Sequence, residues 1–373
     1  MYNLEIRNFI LSHDNWEELL QAPPYNLIIS RDRGYILFKY SLIDSDFHEL
    51  IVQESRGIIF KESDWKCVCH SFNKFGNWGE SYVQELDWSS VKVLEKIDGS
   101  LIRLWYDNGW HISTNSIIDA FKAGTKDLLY PTFGDLFLKS IPNSIADFCA
   151  RLDKNRTYMF ELVSPYNRVV IPYKSIELYY LGERDMNNGQ EYFLPEVWSK
   201  SPMVFELHSL QDVINTANQL PWDEEGYVCV DKNFCRCKIK SPNYVMAHYI
   251  RNNNVITKKR LIDVILSGEV AEFCIYANDY KAIINDVIQE MTVVSVNAEF
   301  IRGVFSVAWN KLPRKDYADI VHKYPKVFHD FLFKNYDNEI TWEEYTCSWD
   351  ANKWDKILKQ CEQYKINKEE YNE

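Results

Sequence analysis

The chain of 373 residues lacks several features that would assign it to a common class of protein. None of its 13 glycines is followed by lysine, which excludes a Walker A phosphate-binding loop. It has no His-Glu-x-x-His zinc motif and no Gly-x-Ser-x-Gly nucleophile motif. Charged residues occupy its start, where a secretion signal has an apolar core, and no run approaches the roughly 18 apolar residues of a membrane span. We therefore expect a cytoplasmic protein with no membrane segment.

The charge and the cysteines narrow the class further. The net charge of −12, from 42 basic and 54 acidic residues, argues against a protein that coats nucleic acid indiscriminately, although it leaves room for a local basic cleft. The nine cysteines are odd in number and scattered, which is typical of reduced thiols. Cys67-x-Cys69 and Cys235-x-Cys237 lack the two-residue gap usual in zinc knuckles. We interpret them as buried free thiols, with a four-cysteine site as the alternative.

The texture of the sequence changes near residue 250. Before that point, short β-like runs alternate with turn residues, and after the run of asparagines at 252–254 the apolar spacing becomes helical. The predicted strands are Tyr35 to Tyr40, Arg56 to Phe60, Val91 to Glu95, Leu101 to Tyr106, Thr157 to Val163, Ile176 to Leu181, Gly226 to Val230 and Arg236 to Ile239. We therefore predict a mixed α+β domain over residues 1–248 and an all-α domain over residues 249–373.

Two patterns define the helical part. Apolar residues at steps of three and four over 284–308 predict a long amphipathic helix that ends before Pro313. Thr341 followed by Glu344 has the spacing of a capping box. We expect this pair to open a last helix that runs past residue 358.

The strongest local motif is Glu95-Lys96-Ile97-Asp98-Gly99-Ser100, which joins two apolar strands. A lysine at such a turn projects from a rigid sheet edge, and Gly99 would let the backbone approach a ligand closely. A lysine amine is a nucleophile only when deprotonated, and burial near other cations or a metal lowers its pKa. Taken alone, Lys-x-Asp-Gly is short enough to arise by chance, and an exposed hairpin lysine is the alternative.

Other segments accompany this lysine along the chain. They are Glu54-Ser55-Arg56-Gly57, Asn73-Lys74-Phe75-Gly76, Tyr158-Met159-Phe160-Glu161-Leu162, Glu224-Glu225-Gly226-Tyr227-Val228 and Lys238-Ile239-Lys240. Glu161 interrupts an apolar strand, which is costly unless the carboxylate meets a sugar hydroxyl, a cation or a metal-bound water. Lys238 and Lys240 share one face of a strand. Together these segments predict one reactive amine, several phosphate-binding cations and carboxylates for a divalent metal, an inventory suited to phosphoryl or nucleotidyl transfer.

This ordered set of motifs resembles the covalent nucleotidyltransferases, the superfamily of ATP-dependent ligases and RNA capping enzymes. Within it, the chain is most similar to the phage ATP-dependent RNA ligase family typified by the T-even bacteriophage tRNA-repair ligase. The matching segments begin at Tyr35, Glu54, Lys96, Phe160, Glu225 and Lys238, with Asn167-Arg168 beside the fourth. The resemblance implies an ATP-grasp-like nucleotidyltransferase domain with antiparallel sheets over residues 1–248. It also implies an all-helical domain for RNA-substrate specificity over residues 249–373.

The resemblance also implies roles for individual residues. Lys96 would attack the α-phosphate of ATP to form lysyl-AMP, from which AMP passes to an RNA 5′-phosphate before a 3′-hydroxyl closes the phosphodiester. Six residues match ATP-binding positions of the family: Tyr40, Arg56, Lys74, Glu161, Lys238 and Lys240. Among them, Glu161 would touch the ribose, while the two later lysines hold the phosphates. Glu225, Asp98 and Glu161 would order water around a magnesium or manganese ion.

The implied partner is RNA with 5′-phosphate and 3′-hydroxyl ends, above all cleaved tRNA. The family likeness further implies a monomer in the host-cell cytoplasm, if the chain is phage-encoded, and a functional partnership with a 5′-kinase/3′-phosphatase. One departure stands out. Where the family has a basic residue before glycine, this chain has Ser113-Thr114-Asn115-Ser116, so a phosphate contact is either missing or supplied by Arg103 or Lys122.

Two alternatives keep part of this interpretation. A DNA ligase or a GTP-dependent mRNA capping guanylyltransferase shares Lys-x-Asp-Gly, but such enzymes usually append an OB-fold, which the helical pattern after residue 255 disfavours. A non-enzymatic nucleotide-binding module with decayed catalysis is the other alternative. The joint presence of Lys96, Glu161, Glu225, Lys238 and Lys240 argues against decay.

Overall fold

The structure is a computed structural model that describes residues 2–125, 127–249, 256–309 and 312–370. Its Cα trace divides into two compact units, Met1–His248 and Tyr249–Glu373. The asparagine run at 252–254 lies outside the described residues. Each unit has its own hydrophobic core and is described by itself.

Three antiparallel sheets form the frame of the first unit. The first sheet has the order β1 (Leu27–Asp32), β2 (Tyr35–Tyr40), β3 (Arg56–Lys61) and β4 (Cys67–Cys69). The second has the order β10 (Glu191–Tyr192), β9 (Glu177–Asp185), β8 (Arg156–Val163), β6 (Ser100–Tyr106) and β7 (Trp110–Thr114). The third has the order β11 (Val204–Phe205), β5 (Lys92–Glu95), β12 (Gly226–Val230) and β13 (Arg236–Lys240).

Helices cover one face of each sheet. They are α1 (Glu5–Ser12), α2 (Trp16–Gln21), α3 (Leu50–Glu54), α4 (Phe133–Ser140), α5 (Ile145–Cys149), α6 (Leu210–Ala217) and α7 (Pro242–Tyr249), with 3-10 turns at Ala120–Lys122 and Pro195–Val197. The helices α1 and α2 bury Ile6 and Leu20 against the first sheet, and α6 buries Val213 against the third. This segregation of helices and antiparallel sheets is the α+β class, so the predicted fold class is confirmed.

All eight predicted strands are present. Seven of them end within one residue of the predicted limits, whereas β9 continues to Asp185. The four central residues of β3 are all buried, because its second face packs on the second sheet through a cluster with Ile59 and Trp105. All nine cysteines are free, and five of them, including Cys67 and Cys69, are buried.

The second unit is helical throughout its described residues. Its helices are α8 (Lys258–Ser267), α9 (Val270–Tyr276), α10 (Lys281–Ala308), α11 (Arg314–Val321), α12 (His329–Asn338), α13 (Trp342–Thr346) and α14 (Ala351–Glu370), with 3-10 turns at Asn278–Tyr280 and Lys326–Phe328. The predicted long helix is α10, and its buried Ile284, Val287, Val294 and Phe305 lie on the predicted stripe. Ala298 is buried as well, whereas Ile288 of the predicted stripe is exposed.

The capping box at Thr341 is present, but the helix that it opens was predicted too long. Thr341 and Glu344 exchange both capping hydrogen bonds, yet α13 ends at Thr346. A separate cap starts the next helix, where Asp350 accepts a hydrogen bond from the Lys353 backbone at 2.9 Å. The single predicted helix is therefore two, because a second N-terminal capping residue restarts the backbone hydrogen bonding.

The long helix is also apolar outside its core face. Val296, Phe300 and Val307 are exposed, and the segment Asn278–Ala308 is long and hydrophobic enough to cross a membrane by length and composition alone. One such helix is weak evidence for a membrane segment, so the expectation of none stays a prediction. The core helix of a soluble protein can also meet this criterion of length and composition. In α10, 17% of the most apolar 18-residue stretch is buried.

We expect the two faces of α10 to differ sharply in their effect on stability. Phe305→Ala should lower the free energy of unfolding by about 3–5 kcal/mol, because it empties a site enclosed by the rings of Trp309, Tyr317 and Tyr324. Phe300→Ala, at a position 72% exposed on the same helix, should change it by less than about 0.5 kcal/mol. Urea unfolding followed by circular dichroism measures both, and equal losses would contradict this assignment of the core face.

Candidate active site

The link between β5 and β6 holds Lys96 at the edge of the third sheet. Its backbone N–H donates to the carbonyl of Gly226 at 2.9 Å, which fixes the residue beside the start of β12. Its Nζ lies 2.6 Å from Oε1 of Glu225, and 20% of the side chain is exposed. The amine is thus held by a carboxylate inside the site and remains accessible to a small molecule.

Glu225 is shared by two lysines. Its side chain is only 4% exposed, and the same Oε1 lies 3.4 Å from Nζ of Lys240 on β13. Gly226 adopts φ +131°, and a Cβ there would collide with the carbonyl oxygen of Ile239. Glycine therefore permits the close pairing of β12 with β13 that brings Glu225 and Lys240 together.

Glu161 enters the same site from the second sheet. It lies on β8, paired with Leu101 of β6 and with Tyr179 of β9. Burial raises the pKa of Glu161 to about 7, with Lys96 acting in the opposite direction and Glu225 raising it further. Glu161 therefore lies within electrostatic range of both Lys96 and Glu225.

Gly99 serves a different purpose from the one predicted. A Cβ at this position would collide with the carbonyl oxygen of Leu162 and the side chains of Val163 and Glu161. The close approach that glycine permits here is to the backbone of β8. It keeps the turn after Lys96 packed against the strand that carries Glu161.

Aromatic rings hold the predicted phosphate-binding cations. Nζ of Lys74 lies 5.4 Å from the ring centroid of Tyr40, while Phe75 has the guanidinium of Arg56 at 5.5 Å and Nζ of Lys238 at 5.6 Å. In the ranges that the structure describes, neither Arg56 nor Lys74 has a carboxylate within 4.0 Å. Cation–π contacts orient these two cations without neutralising them, which leaves their charge for an anion.

Asp98 has a different environment from the metal-site role predicted for it. Its Oδ2 accepts hydrogen bonds from the backbone N–H groups of Val170 and Ile171, at 2.9 and 2.7 Å. Its Oδ1 accepts one from the hydroxyl of Tyr244 at 2.8 Å. These contacts make Asp98 a buried tether between the motif, the loop after β8 and α7, and we leave it out of the proposed metal site.

Neither candidate substitute for the missing basic residue is available. Arg103 is fully buried, and its guanidinium donates to the backbone carbonyls of Gly57 and Thr114. Lys122 donates to Asp32 at 2.7 and 2.8 Å on the surface. The interpretation that either contacts phosphate is not supported by these partners. Arg103 instead stabilises the start of β3.

Sequence reasoning missed Tyr244 and Phe75. Tyr244 is buried on α7, where its ring centroid lies 5.8 Å from Nζ of Lys240 and its hydroxyl contacts Asp98. Phe75 lies within the predicted segment Asn73–Gly76, but its role as the ring between two cations depends on strands that are distant in sequence. The only signal in the sequence was an aromatic residue shortly after a predicted phosphate-binding lysine, at Phe75 after Lys74 and at Tyr244 after Lys240.

The carboxylates suit a metal ion that keeps much of its water. In the described parts of the chain, no group of three or more His, Cys, Asp or Glu side chains could hold a metal by itself. Magnesium is usually bound through one or two carboxylates together with substrate phosphates and water. Glu225 and Glu161 fit this pattern as two carboxylates close enough to interact, since burial raises the pKa of Glu161, Lys96 lowers it and Glu225 raises it further.

The site combines one amine, two carboxylates and flanking cations on antiparallel sheets. The family model described as RNA ligase matches residues 54–244, which is half of the chain and contains the motif lysine, both glutamates and both lysines of β13. The chain therefore belongs to the RNA ligase family, and the predicted family resemblance is confirmed.

Individual relatives share this region. A protein of Autographa californica nuclear polyhedrosis virus, named as a bifunctional polynucleotide kinase/RNA ligase, is 31% identical over 273 residues, which cover 68% of this chain and 39% of that protein. An RNA ligase of Rhodothermus phage RM378 is 26% identical over 323 residues, covering 69% of this chain and 73% of the phage protein. The chain thus spans well under half of the viral relative.

Among solved structures, an archaeal ATP-dependent RNA ligase is similar to this chain. The two share 12% identity with a TM-score of 0.43, and the match covers 74% of each chain.

We expect Glu161 to make stability depend on pH. Its pKa of about 7 in the folded protein lies above the ordinary 4.5, so its contribution to stability is fully present below pH 4.5 and is lost as the pH rises to about 7. The free energy of unfolding of the wild type should therefore fall relative to that of Glu161→Gln over this interval. Urea titrations at a series of pH values measure the difference.

A second buried carboxylate, Glu54, does not disturb that comparison. Burial raises its pKa to about 7 as well, but it titrates in both proteins and cancels in the difference. A difference in unfolding free energy that stays constant from pH 4.5 to 7 would contradict the shifted titration of Glu161.

Asp98→Ala should destabilise the first unit by at least about 2 kcal/mol, because the buried N–H of Val170 and that of Ile171 lose their acceptor. Tyr244→Phe, which removes one hydrogen bond to the same carboxylate, should cost about 1 kcal/mol. Thermal unfolding compares the two. A variant at 98 with wild-type stability but an altered requirement for metal would restore the metal-site role to Asp98.

Proposed function

We propose that this chain is an ATP-dependent RNA ligase that joins a 5′-phosphate to a 3′-hydroxyl RNA end through lysyl-AMP and RNA-adenylate intermediates. The observation that carries the proposal is the accessible amine of Lys96, 2.6 Å from Glu225, with Lys240 on the same carboxylate. Membership of the RNA ligase family sets the class of reaction. The relatives' names support RNA as the substrate.

In the first step, Lys96 acts as the nucleophile. Its amine gives up a proton, and Oε1 of Glu225 is within hydrogen-bond distance to accept it. A bond then forms between Nζ and the α-phosphorus of ATP, while the bond from that phosphorus to the bridging oxygen breaks. Pyrophosphate leaves with the electron pair, and AMP stays on the lysine as a phosphoramidate.

Cations around the amine neutralise the charge that grows on the phosphates. Lys240 lies on the same carboxylate as Lys96 and serves the α-phosphate, while Lys238, one step along the same strand face, serves the rest of the triphosphate. Arg56 and Lys74 add positive charge that the described carboxylates leave uncompensated. Tyr40, which contacts Lys74, completes the ATP-binding set.

Glu225 and Glu161 would hold a divalent cation, magnesium or manganese, through water. When bound, such a cation supplies charge neutralisation at the phosphates and lowers the affinity of the nearby amine for its proton. Glu161 also has the acceptor oxygens that a ribose hydroxyl requires, and its position on a central strand fixes their direction. Its ionised form, favoured above pH 7, serves both purposes.

The next two steps use the same pocket. An oxygen of the RNA 5′-phosphate attacks the α-phosphorus of lysyl-AMP, the phosphorus–nitrogen bond breaks, and the Lys96 amine recovers a proton. A 3′-hydroxyl then attacks the phosphorus of the activated RNA end, loses its proton, and expels AMP. The same amine, carboxylates and cations therefore serve all three displacements at phosphorus.

Repair of cleaved tRNA is the proposed setting, with the helical residues 249–373 contributing to the choice of RNA. The name of the viral relative, which joins a polynucleotide kinase to an RNA ligase, supports a partnership with enzymes that first heal RNA ends. We propose that the chain acts as a monomer on ends that a 5′-kinase/3′-phosphatase has prepared.

The first test follows the label. Incubation with α-labelled ATP and magnesium should give a labelled protein band that is absent from Lys96→Ala and from Lys96→Arg. The arginine variant keeps the positive charge beside Glu225 but has no deprotonated form at working pH, so it separates a covalent role from an electrostatic one. Lys92→Ala, at an exposed position on β5 just before Lys96, is the matched control and should label like the wild type.

The second arm identifies the acceptor. A 5′-phosphorylated RNA oligonucleotide should discharge the label and give a joined product, whereas the same sequence as DNA should discharge it less. Labelling from GTP in preference to ATP would point to capping chemistry instead. A labelled band that persists in Lys96→Arg would overturn the assignment of the nucleophile.

A further inference from the structure

A cavity of about 450 Å³ opens next to the ATP-binding residues of the first unit. Lys74 and Phe75 line it on one side, but Lys96, Glu161, Glu225, Lys238 and Lys240 are not in its wall. Its charged lining consists of four cations and one carboxylate: Lys74, Arg184, Lys232, Arg236 and Glu191. In a protein with a net charge of −12, this excess of positive charge marks a place for an anion.

The cavity lies at the far end of the strand that carries the two lysines. Arg236, Lys238 and Lys240 alternate along β13, so their side chains leave the same face at steps of about 7 Å. Arg236 therefore starts about 13 Å from Lys240, measured along the strand. One row of cations thus leads from the reacting amine into the cavity.

The guanidinium groups are held in place before any ligand binds. Arg184 and Arg236 both donate to Glu191, one to each carboxylate oxygen, the latter at 2.6 Å. The hydroxyl of Tyr2 accepts a hydrogen bond from Arg184 at 2.8 Å, and the ring of Phe72 lies 4.3 Å from the guanidinium carbon of Arg236. One carboxylate between two arginines leaves a net positive charge in a rigid position.

We propose that this cavity binds a backbone phosphate of the RNA strand whose end is being joined, so that β13 aligns the RNA with the lysyl-AMP. The inference rests on the proposed RNA-joining function and adds a binding site to it. Phe234, in the turn between β12 and β13, lines the same cavity and offers a ring on which a base can stack.

The distance favours RNA over the tail of ATP. Only two bridging oxygens separate the terminal phosphorus of ATP from its α-phosphorus. The distance along the strand from Lys240 to Lys238, about 7 Å, is already enough to follow the whole triphosphate. Arg236 and the cavity lie a further step away. A polynucleotide continues past the reacting phosphate and has another phosphate at every residue, so it can fill both places.

Two variants and a control test the proposal on the full chain. Arg236→Gln removes a guanidinium inside the cavity, and Lys232→Gln removes an amine that is 64% exposed in its side chain and paired with Asp87, where folding is not at risk. Lys139→Gln, at an exposed lysine of α4 outside the cavity, is the control. Binding of 5′-phosphorylated single-stranded oligouridine and oligoadenosine is measured by fluorescence anisotropy without ATP, from 50 mM salt upward.

Each removed phosphate contact should reduce the slope of log affinity against log salt by about 0.7. That corresponds to about eightfold weaker binding at 50 mM salt, and the loss should vanish toward 1 M salt. Both RNA sequences should show the same change, because a phosphate carries no base identity. The control should keep the wild-type slope, and the two variants should still form labelled lysyl-AMP.

The other outcomes overturn the proposal in recognisable ways. Wild-type slopes in both variants would remove the phosphate site. Normal RNA binding together with slow lysyl-AMP formation would assign the cavity to the triphosphate of ATP. A wild-type protein that binds RNA but never transfers its labelled AMP to that RNA would contradict the proposed ligation. The phosphate site would then still be tested by the slopes of log affinity against log salt.

Discussion

One buried carboxylate organises the site on which the rest depends. Glu225 is almost fully removed from water, and an unpaired charge there would cost several kcal/mol. Lys96, in the link after β5, and Lys240, on β13, supply the pairing at one carboxylate oxygen. The interaction that stabilises this edge of the sheet is therefore the same one that places the reactive amine.

Charged side chains of opposite sign lie on the two sides of Glu225. Toward the second sheet, burial raises the pKa of Glu161 to about 7, and a divalent cation bound beside it would favour the ionised carboxylate. Toward the first sheet, Arg56 and Lys74 rest on aromatic rings without a described carboxylate partner, a condition that phosphates would relieve. A metal–nucleotide complex would bring a cation to the carboxylates and phosphates to the arginine and lysine.

Local patterns in the sequence predicted what local physics determines. The strands and the capping box at Thr341 follow from alternation and from a three-residue spacing, and they are present. The reason for Gly99 was wrong, because the atoms that crowd it come from β8, more than 60 residues later. The bond from Tyr244 to Asp98 spans 146 residues, and only the folded topology brings such partners together. Sequence alone could therefore propose candidate reacting groups, but it could not find the distant residues that support them.

The strand β13 links the hydrophobic core to the candidate site, because one of its faces is apolar and the other carries cations. Cys237 and Ile239 point into the core beneath the third sheet, while Arg236, Lys238 and Lys240 are less buried and lie on the opposite face of the strand. A slip of one residue in its pairing with β12 would bury three charges and expose the core residues, so packing fixes the register far more firmly than ligand contacts could. The spacing between the reacting amine and the cavity is thus set by the hydrophobic core, and it exists before either substrate arrives.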